Sequence, residues 1–214
     1  MTILLVAPTF DVPTTLSAIA ASELTSFLQE HKYPFYMLSG LLPGRWYFET
    51  FLKMHKDVNA LFYLGHGSED RLYGAEVFWA MLDTKNDDLV QGLICWNMAC
   101  LSGQQLGPDA IKKGARAWFG HLVLYNGAFP DESHNYTQDW IDYVTLVPKL
   151  LVQGMSCGDA FDAYKARLAR YLSQYKEFAQ NPDRYPNADW IVTTTQSNLE
   201  YARLFGDPNA KLSS

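Results

Sequence analysis

Two short apolar runs, Val58–Leu64 (VNALFYL) and Gly92–Cys100 (GLICWNMAC), constrain this chain more than any other feature. Each is too short to span a bilayer, which takes roughly 20 apolar residues. Each is too continuous for a half-buried strand, whose wet face would show as strict alternation. Both therefore read as buried strands. Both run into glycine-bearing turns: Gly65-His66-Gly67 after the first, Leu101-Ser102-Gly103 after the second.

The rest of the chain alternates in the same way. Ile3–Ala7, stopped by Pro8, and Pro34–Leu38 are strand candidates, as is Ala115–Leu124. Trp190–Thr194 and Tyr201–Phe205 are the last two. Leu16, Ile19, Ala20, Leu24, Phe27 and Leu28 recur at helical spacing, with Thr14 or Thr15 as the cap. Trp46–His55 and Leu106–Lys113 predict two further helices. Phe161, Tyr164, Leu168, Tyr171, Leu172, Tyr175 and Phe178 share one helical face, and Ser156 with Asp159 forms a capping-box pattern before it. Alternating strands and helices predict the α/β class, with a mainly parallel central sheet flanked by helices. The 214 residues suffice for a single domain, 1–214, with a sizeable core.

Charge and cysteine content narrow the partners. The net charge of -6, with no basic stripe, argues against nucleic acid, and the absence of a long apolar run argues against a membrane. The start, MTILLVAPTF, reads as a first strand rather than a signal peptide. Three cysteines (Cys95, Cys100, Cys157) are too few and odd for a disulfide framework, which points to a reducing, cytoplasmic setting. No C-x-x-C pair or histidine cluster suggests zinc, so no metal or cofactor is expected. The oligomeric state is open, although an exposed sheet edge could pair two copies as a dimer.

In open parallel sheets, sites form beyond the carboxyl ends of strands. His66 and Cys100 each stand just past such an end. One crossover between them would make their strands neighbours or near neighbours. A histidine beside a thiol favours the nucleophilic thiolate, and its imidazole can protonate a leaving amine. The oxyanion formed on attack needs backbone donors, for which the N–H groups of Gly67 and Cys100 are placed. Gly65, Gly67 and Gly103 would let a substrate backbone approach closely. Asn97, near the nucleophile, and His121, at the end of the fifth strand, are candidates to touch substrate. Cys95, five residues before Cys100, points to the opposite sheet face and reads as core. Cys157 reads as structural, and Glu69-Asp70 as a solvated turn.

Residues Tyr63-Leu64-Gly65-His66-Gly67-Ser68-Glu69 closely resemble the Tyr-x-Gly-His-Gly-Ser-Glu segment of gingipain-type cysteine peptidases. Ala99-Cys100, ending an apolar strand and followed by Leu-Ser-Gly, resembles the nucleophile segment of that family and of the wider caspase-like group, CHAT domains included. Gly154-Met-Ser-Cys-Gly-Asp-Ala-Phe-Asp-Ala-Tyr-Lys165 and Leu204-Phe-Gly-Asp-Pro208 are similar to later segments of the same proteins. The resemblance implies a caspase-like α/β/α sandwich and a cysteine endopeptidase acting on a peptide or protein substrate. It puts the catalytic pair on His66 and Cys100 and the oxyanion donors on Gly67 and Cys100. It also implies a substrate pocket around Trp118 and Tyr125. It matches the catalytic subdomain alone. Met98 stands where several relatives carry an acidic residue, so no basic specificity is carried over. Two alternatives stay open: a non-proteolytic binding or regulatory module of the same fold, and an amide or ester hydrolase acting on small molecules.

Overall fold

The computed structural model describes residues 1–40, 43–75, 79–125 and 133–212. In chain order the elements are β1 (Thr2–Pro8), α1 (Val12–Glu30), β2 (Phe35–Gly40), α2 (Arg45–Met54) and β3 (Val58–Leu64). Three short strands follow, β4 (Gly67–Ser68), β5 (Arg71–Tyr73) and β6 (Ala80–Asp83), then a 3-10 turn at Asp87–Val90. The chain continues with β7 (Ile94–Met98), α3 (Leu106–Lys112) and β8 (Ala117–His121). It ends with α4 (Tyr136–Val152), α5 (Cys157–Phe178), α6 (Ala188–Tyr201) and β9 (Ala202–Gly206).

The central sheet has six strands in the order β2-β1-β3-β7-β8-β9. All pair in parallel except β9, which runs antiparallel to β8. The inner strands β1, β3, β7 and β8 are buried almost throughout, which is why they read as unbroken apolar runs. One sheet face packs Ile3, Leu5, Phe62, Trp96 and Phe119 against α1, α4 and α5. The other packs Leu4, Leu61, Tyr63, Cys95 and Trp118 against α2 and α3, together with Leu72, Met81 and Leu82 of β5 and β6. The molecule is thus a mixed α/β sandwich with helices on both sides of a mainly parallel sheet. No helix among the described residues is long and apolar enough to cross a membrane.

Two details differ from the sequence reading, and a third was left open by it. Trp190–Thr194 lies inside α6 and is not a strand. Its β-branched run Ile191–Thr195 suggested a strand, but the buried positions Ala188, Ile191, Thr194, Thr195 and Asn198 recur at helical spacing and face the rest of the fold. The cap of α1 is Asp11, and Thr14 occupies the third helical position, where its hydroxyl accepts from the Asp11 N–H. The crossover from β3 to β7, whose make-up the sequence left open, is built from the antiparallel sheet β4-β5-β6 and the 3-10 turn.

Leu5 is fully buried and Met54 is largely exposed. Leu5→Ala should therefore lower unfolding free energy by about 2–5 kcal/mol, and Met54→Ala by no more than about 0.5 kcal/mol, both read from urea denaturation curves.

Candidate active site

The pairing of β3 with β7 sets Leu64 opposite Met98, and one further bond, from Gly65 N–H to Met98 C=O at 3.2 Å, carries the ladder past the strand end. The turn holding His66 is therefore laid directly on the turn holding Cys100. A Cβ placed on Gly67 would lie 2.9 Å from Ala99 Cβ and 3.0 Å from the Cys100 carbonyl oxygen, so only glycine fits between the two turns.

The histidine turn is fastened from below. The Tyr63 hydroxyl lies 2.6 Å from the His66 carbonyl and 2.7 Å from that of Tyr73, and Tyr73 N–H donates to the same His66 carbonyl. By antiparallel alternation that last bond makes Gly67 and Leu72 a non-hydrogen-bonded pair, which leaves Gly67 N–H outside the ladder. Tyr63 is fully buried, and burial pushes its hydroxyl well above the ordinary tyrosine range, so it stays a neutral donor.

The residue that faces the imidazole is Asp11. Its Oδ2 lies 2.8 Å from His66 Nε2, with both side chains about one-third exposed. Its Oδ1 accepts from the Thr14 N–H at 2.9 Å and from the Thr14 hydroxyl at 2.7 Å. One carboxylate thus caps α1 and orients the histidine, and Phe10 packs on the same ring with centroids 5.7 Å apart. Nε2–H donating to a carboxylate leaves Nδ1 as the free base. Burial raises the Asp11 carboxyl, but the Thr14 and His66 hydrogen bonds outweigh it and hold the group below its usual range.

The cysteine turn is equally constrained. Leu101, directly after Cys100, has φ 57°, in the left-handed region that side-chain-bearing residues rarely enter. Leu101 N–H donates to Val123 C=O and Gly103 N–H to His121 C=O, both at 3.0 Å. Trp118 Nε1–H and Gly107 N–H both donate to Ser102 C=O. The Glu69 carbonyl accepts from Gln105 and Leu106 N–H, so the backbone of the Glu69-Asp70 turn is docked on the start of α3 while the Glu69 side chain stays exposed, as expected of a solvated turn. Strain held by this many bonds is characteristic of functional turns.

Cys100 is half-buried, whereas Cys95 and Cys157 are fully buried. The Cys100 sulfur accepts from Tyr125 N–H at 3.3 Å and lies 3.5 Å from the Tyr125 carbonyl. Burial pushes the thiol above its ordinary range, and the N–H groups of Tyr125 and of Cys100 itself pull it back only in part. Among the described residues no hydrogen bond joins His66 to Cys100: the imidazole is turned to Asp11 and the thiol to Tyr125.

Of the other expected substrate contacts, Tyr125 meets the Cys100 sulfur, through its backbone. Asn97, Trp118 and His121 are buried behind the site instead of lining it. Asn97 Nδ2 donates to Phe119 C=O at 3.1 Å, and Trp118 serves the cysteine turn. His121 Nε2 lies 3.3 Å from the Tyr164 hydroxyl, and its ring packs on Tyr125. Burial pushes the His121 pKa down to about 3, so it is neutral through the physiological range. Among the described residues no three His, Cys, Asp or Glu side chains converge as a metal site.

Sequence reasoning missed Asp11 and Tyr63. Asp11 carried a signal: an aspartate just past a strand, followed by Val-Pro-Thr, is an N-cap with proline in the first turn. The strand-end rule then puts it on the same edge as His66. A scan against protein-family models finds no match for this chain, and a search of curated proteins finds none.

Two titrations follow from these environments. Alkylation of Cys100 by iodoacetamide should keep accelerating with pH beyond the point, near a pKa of about 8.5, where a free thiol levels off. Asp11 has a folded pKa below its unfolded value of about 3.9, so its contribution to stability is complete above that value and is lost as pH falls through the folded one. Between about pH 5 and pH 2 the wild type should lose more stability than Asp11→Asn, which keeps a capping oxygen. Denaturation midpoints across that range measure the difference.

Proposed function

We propose that this chain is a cysteine endopeptidase of the caspase-like, gingipain-type kind, with Cys100 as nucleophile, His66 as acid–base and Asp11 as the group that orients His66. The observation that carries this reading is the seating of the Gly65-His66-Gly67 turn on Ala99-Cys100, with Asp11 fixing the imidazole from the other side.

In this mechanism the thiol swings from the Tyr125 backbone toward His66, and Nδ1 takes its proton. The sulfur electron pair attacks the peptide carbonyl carbon, and the carbonyl electrons move to oxygen. Gly67 N–H and Cys100 N–H hold that oxyanion. The oxyanion collapses, the C–N bond breaks, and the amine leaves with the proton from Nδ1. A water then gives a proton to Nδ1 and attacks the thioester, releasing the acid and restoring the thiol. The Asp11 carboxylate stabilises the imidazolium present in both halves.

A second reading, a non-proteolytic module of the same fold, is favoured by one observation: the thiol rests against Tyr125 with its ionisation suppressed. Covalent capture separates the two. A peptidyl electrophile should label Cys100 and leave Cys95 and Cys157 untouched, as read by mass spectrometry of the digest. His66→Ala should slow that labelling by at least about 10²-fold. Labelling of Cys100 no faster than of the buried thiols, or unchanged in His66→Ala, contradicts the peptidase reading. Asp11→Asn turns an amide toward Nε2 and favours the wrong tautomer, with a loss of order 10²–10⁴-fold in turnover.

A further inference from the structure

The chain neighbours of the two residues that hydrogen-bond His66 and Cys100 carry apolar side chains that are exposed. Val12, adjoining Asp11, is 77% exposed, and Leu124, adjoining Tyr125, is 62% exposed. Trp79 is 66% exposed, and its carbonyl accepts from the N–H of Gly74, which follows the Tyr73 that bonds the His66 turn. Trp46, 77% exposed, lies in the first turn of α2 after Pro43-Gly44. The Pro43 carbonyl packs so closely on Gly74 that a Cβ there would sit 2.0 Å away. Tryptophan is highly buried on average, so two exposed indoles held to one loop mark a surface that meets something.

Among the described residues, most charges beside these side chains are paired: Arg45, next to Trp46, is held by Glu49 and Asp83. The Asp11 carboxylate is taken by Thr14 and His66, and Asp70 is paired with Arg71 at 2.6 Å. Glu69 carries an exposed carboxylate beyond the histidine turn, which makes a basic substrate the direct rival.

On the acyl-transfer reading above, we propose that Val12, Trp46, Trp79 and Leu124 form an apolar rim around His66 and Cys100, and that the site takes substrates with a large apolar or aromatic side chain beside the reacting carbonyl. Apolar walls in contact with such a side chain gain from its transfer out of water, and they leave a charged one desolvated without a partner.

The test uses the full chain and peptidyl acyloxymethyl ketones that differ only in the residue next to the ketone: Phe, Leu, Arg, Asp or Gly. Labelling of Cys100 is followed by intact mass spectrometry, and each rate is divided by the iodoacetamide rate of the same variant. The Phe and Leu probes should react about tenfold or more faster than the other three. Trp79→Ala or Trp46→Ala should cut that ratio severalfold, whereas Met54→Ala, at the far end of α2, should leave it unchanged. Fastest labelling by the Arg probe, equal labelling by all probes, or a preference indifferent to both tryptophan variants overturns the apolar rim while leaving the dyad standing. Labelling by every probe that is unchanged in His66→Ala overturns the acyl-transfer reading, and the rim falls with it.

Discussion

The parallel ladder between β3 and β7 is the constraint on which the site depends. Its register puts Leu64 against Met98, and the extra bond from Gly65 to Met98 holds the two chains together just past their carboxyl ends. Slipping β7 by one residue against β3 would exchange its side chains between the two cores, sending Trp96 into the space of Cys95 and Cys95 into that of Trp96. Burial on both faces therefore specifies the pairing, and the pairing brings the two turns into contact. The separation of His66 from Cys100 in sequence has no influence on this outcome, because the β4-β5-β6 sheet closes the crossover and docks its own tip on α3 through the Glu69 carbonyl.

Asp11 links helix formation to the orientation of His66. Its extended backbone begins α1, one oxygen satisfies a donor at the helix start, and the other is thereby aimed at His66. Rotation of the carboxylate away from the imidazole would forfeit the cap, worth about 1 kcal/mol. The histidine is thus oriented by a group that is itself held for a structural reason. The buried Tyr63 fixes the other end of the same turn, and the left-handed Leu101 fixes the cysteine turn. Preorganisation here comes from backbone bonds between neighbouring turns, with few side-chain contacts to tune.

Much of this was legible in the residues themselves. Val58–Leu64 has the same bounds in sequence and structure, since a strand buried on both faces leaves an unbroken apolar run. The meeting of the His66 and Cys100 turns was legible because both residues follow such runs directly. The β4-β5-β6 sheet was not, because strands of two to four residues are too short for any periodicity to register. Trp190–Thr194 misled because β-branched residues favour strands locally, while packing of Ile191 and Thr194 against neighbouring helices decides the outcome. His121 ends its strand as expected, but whether a side chain near a strand end faces solvent or the next layer depends on tertiary packing. The surrounding aromatic layer buries His121 against Tyr125 and Tyr164.

The account turns on which nitrogen of His66 carries the proton. Nitrogen-15 spectra of the histidine-labelled chain, read through two-bond couplings to the ring protons, report this directly. The account predicts that neutral His66 carries its proton on Nε2 in the wild type, and that Asp11→Asn shifts the population toward Nδ1–H. A wild-type His66 protonated mainly on Nδ1 would contradict it, because no basic nitrogen would then be left to receive the Cys100 proton while Asp11 holds the other.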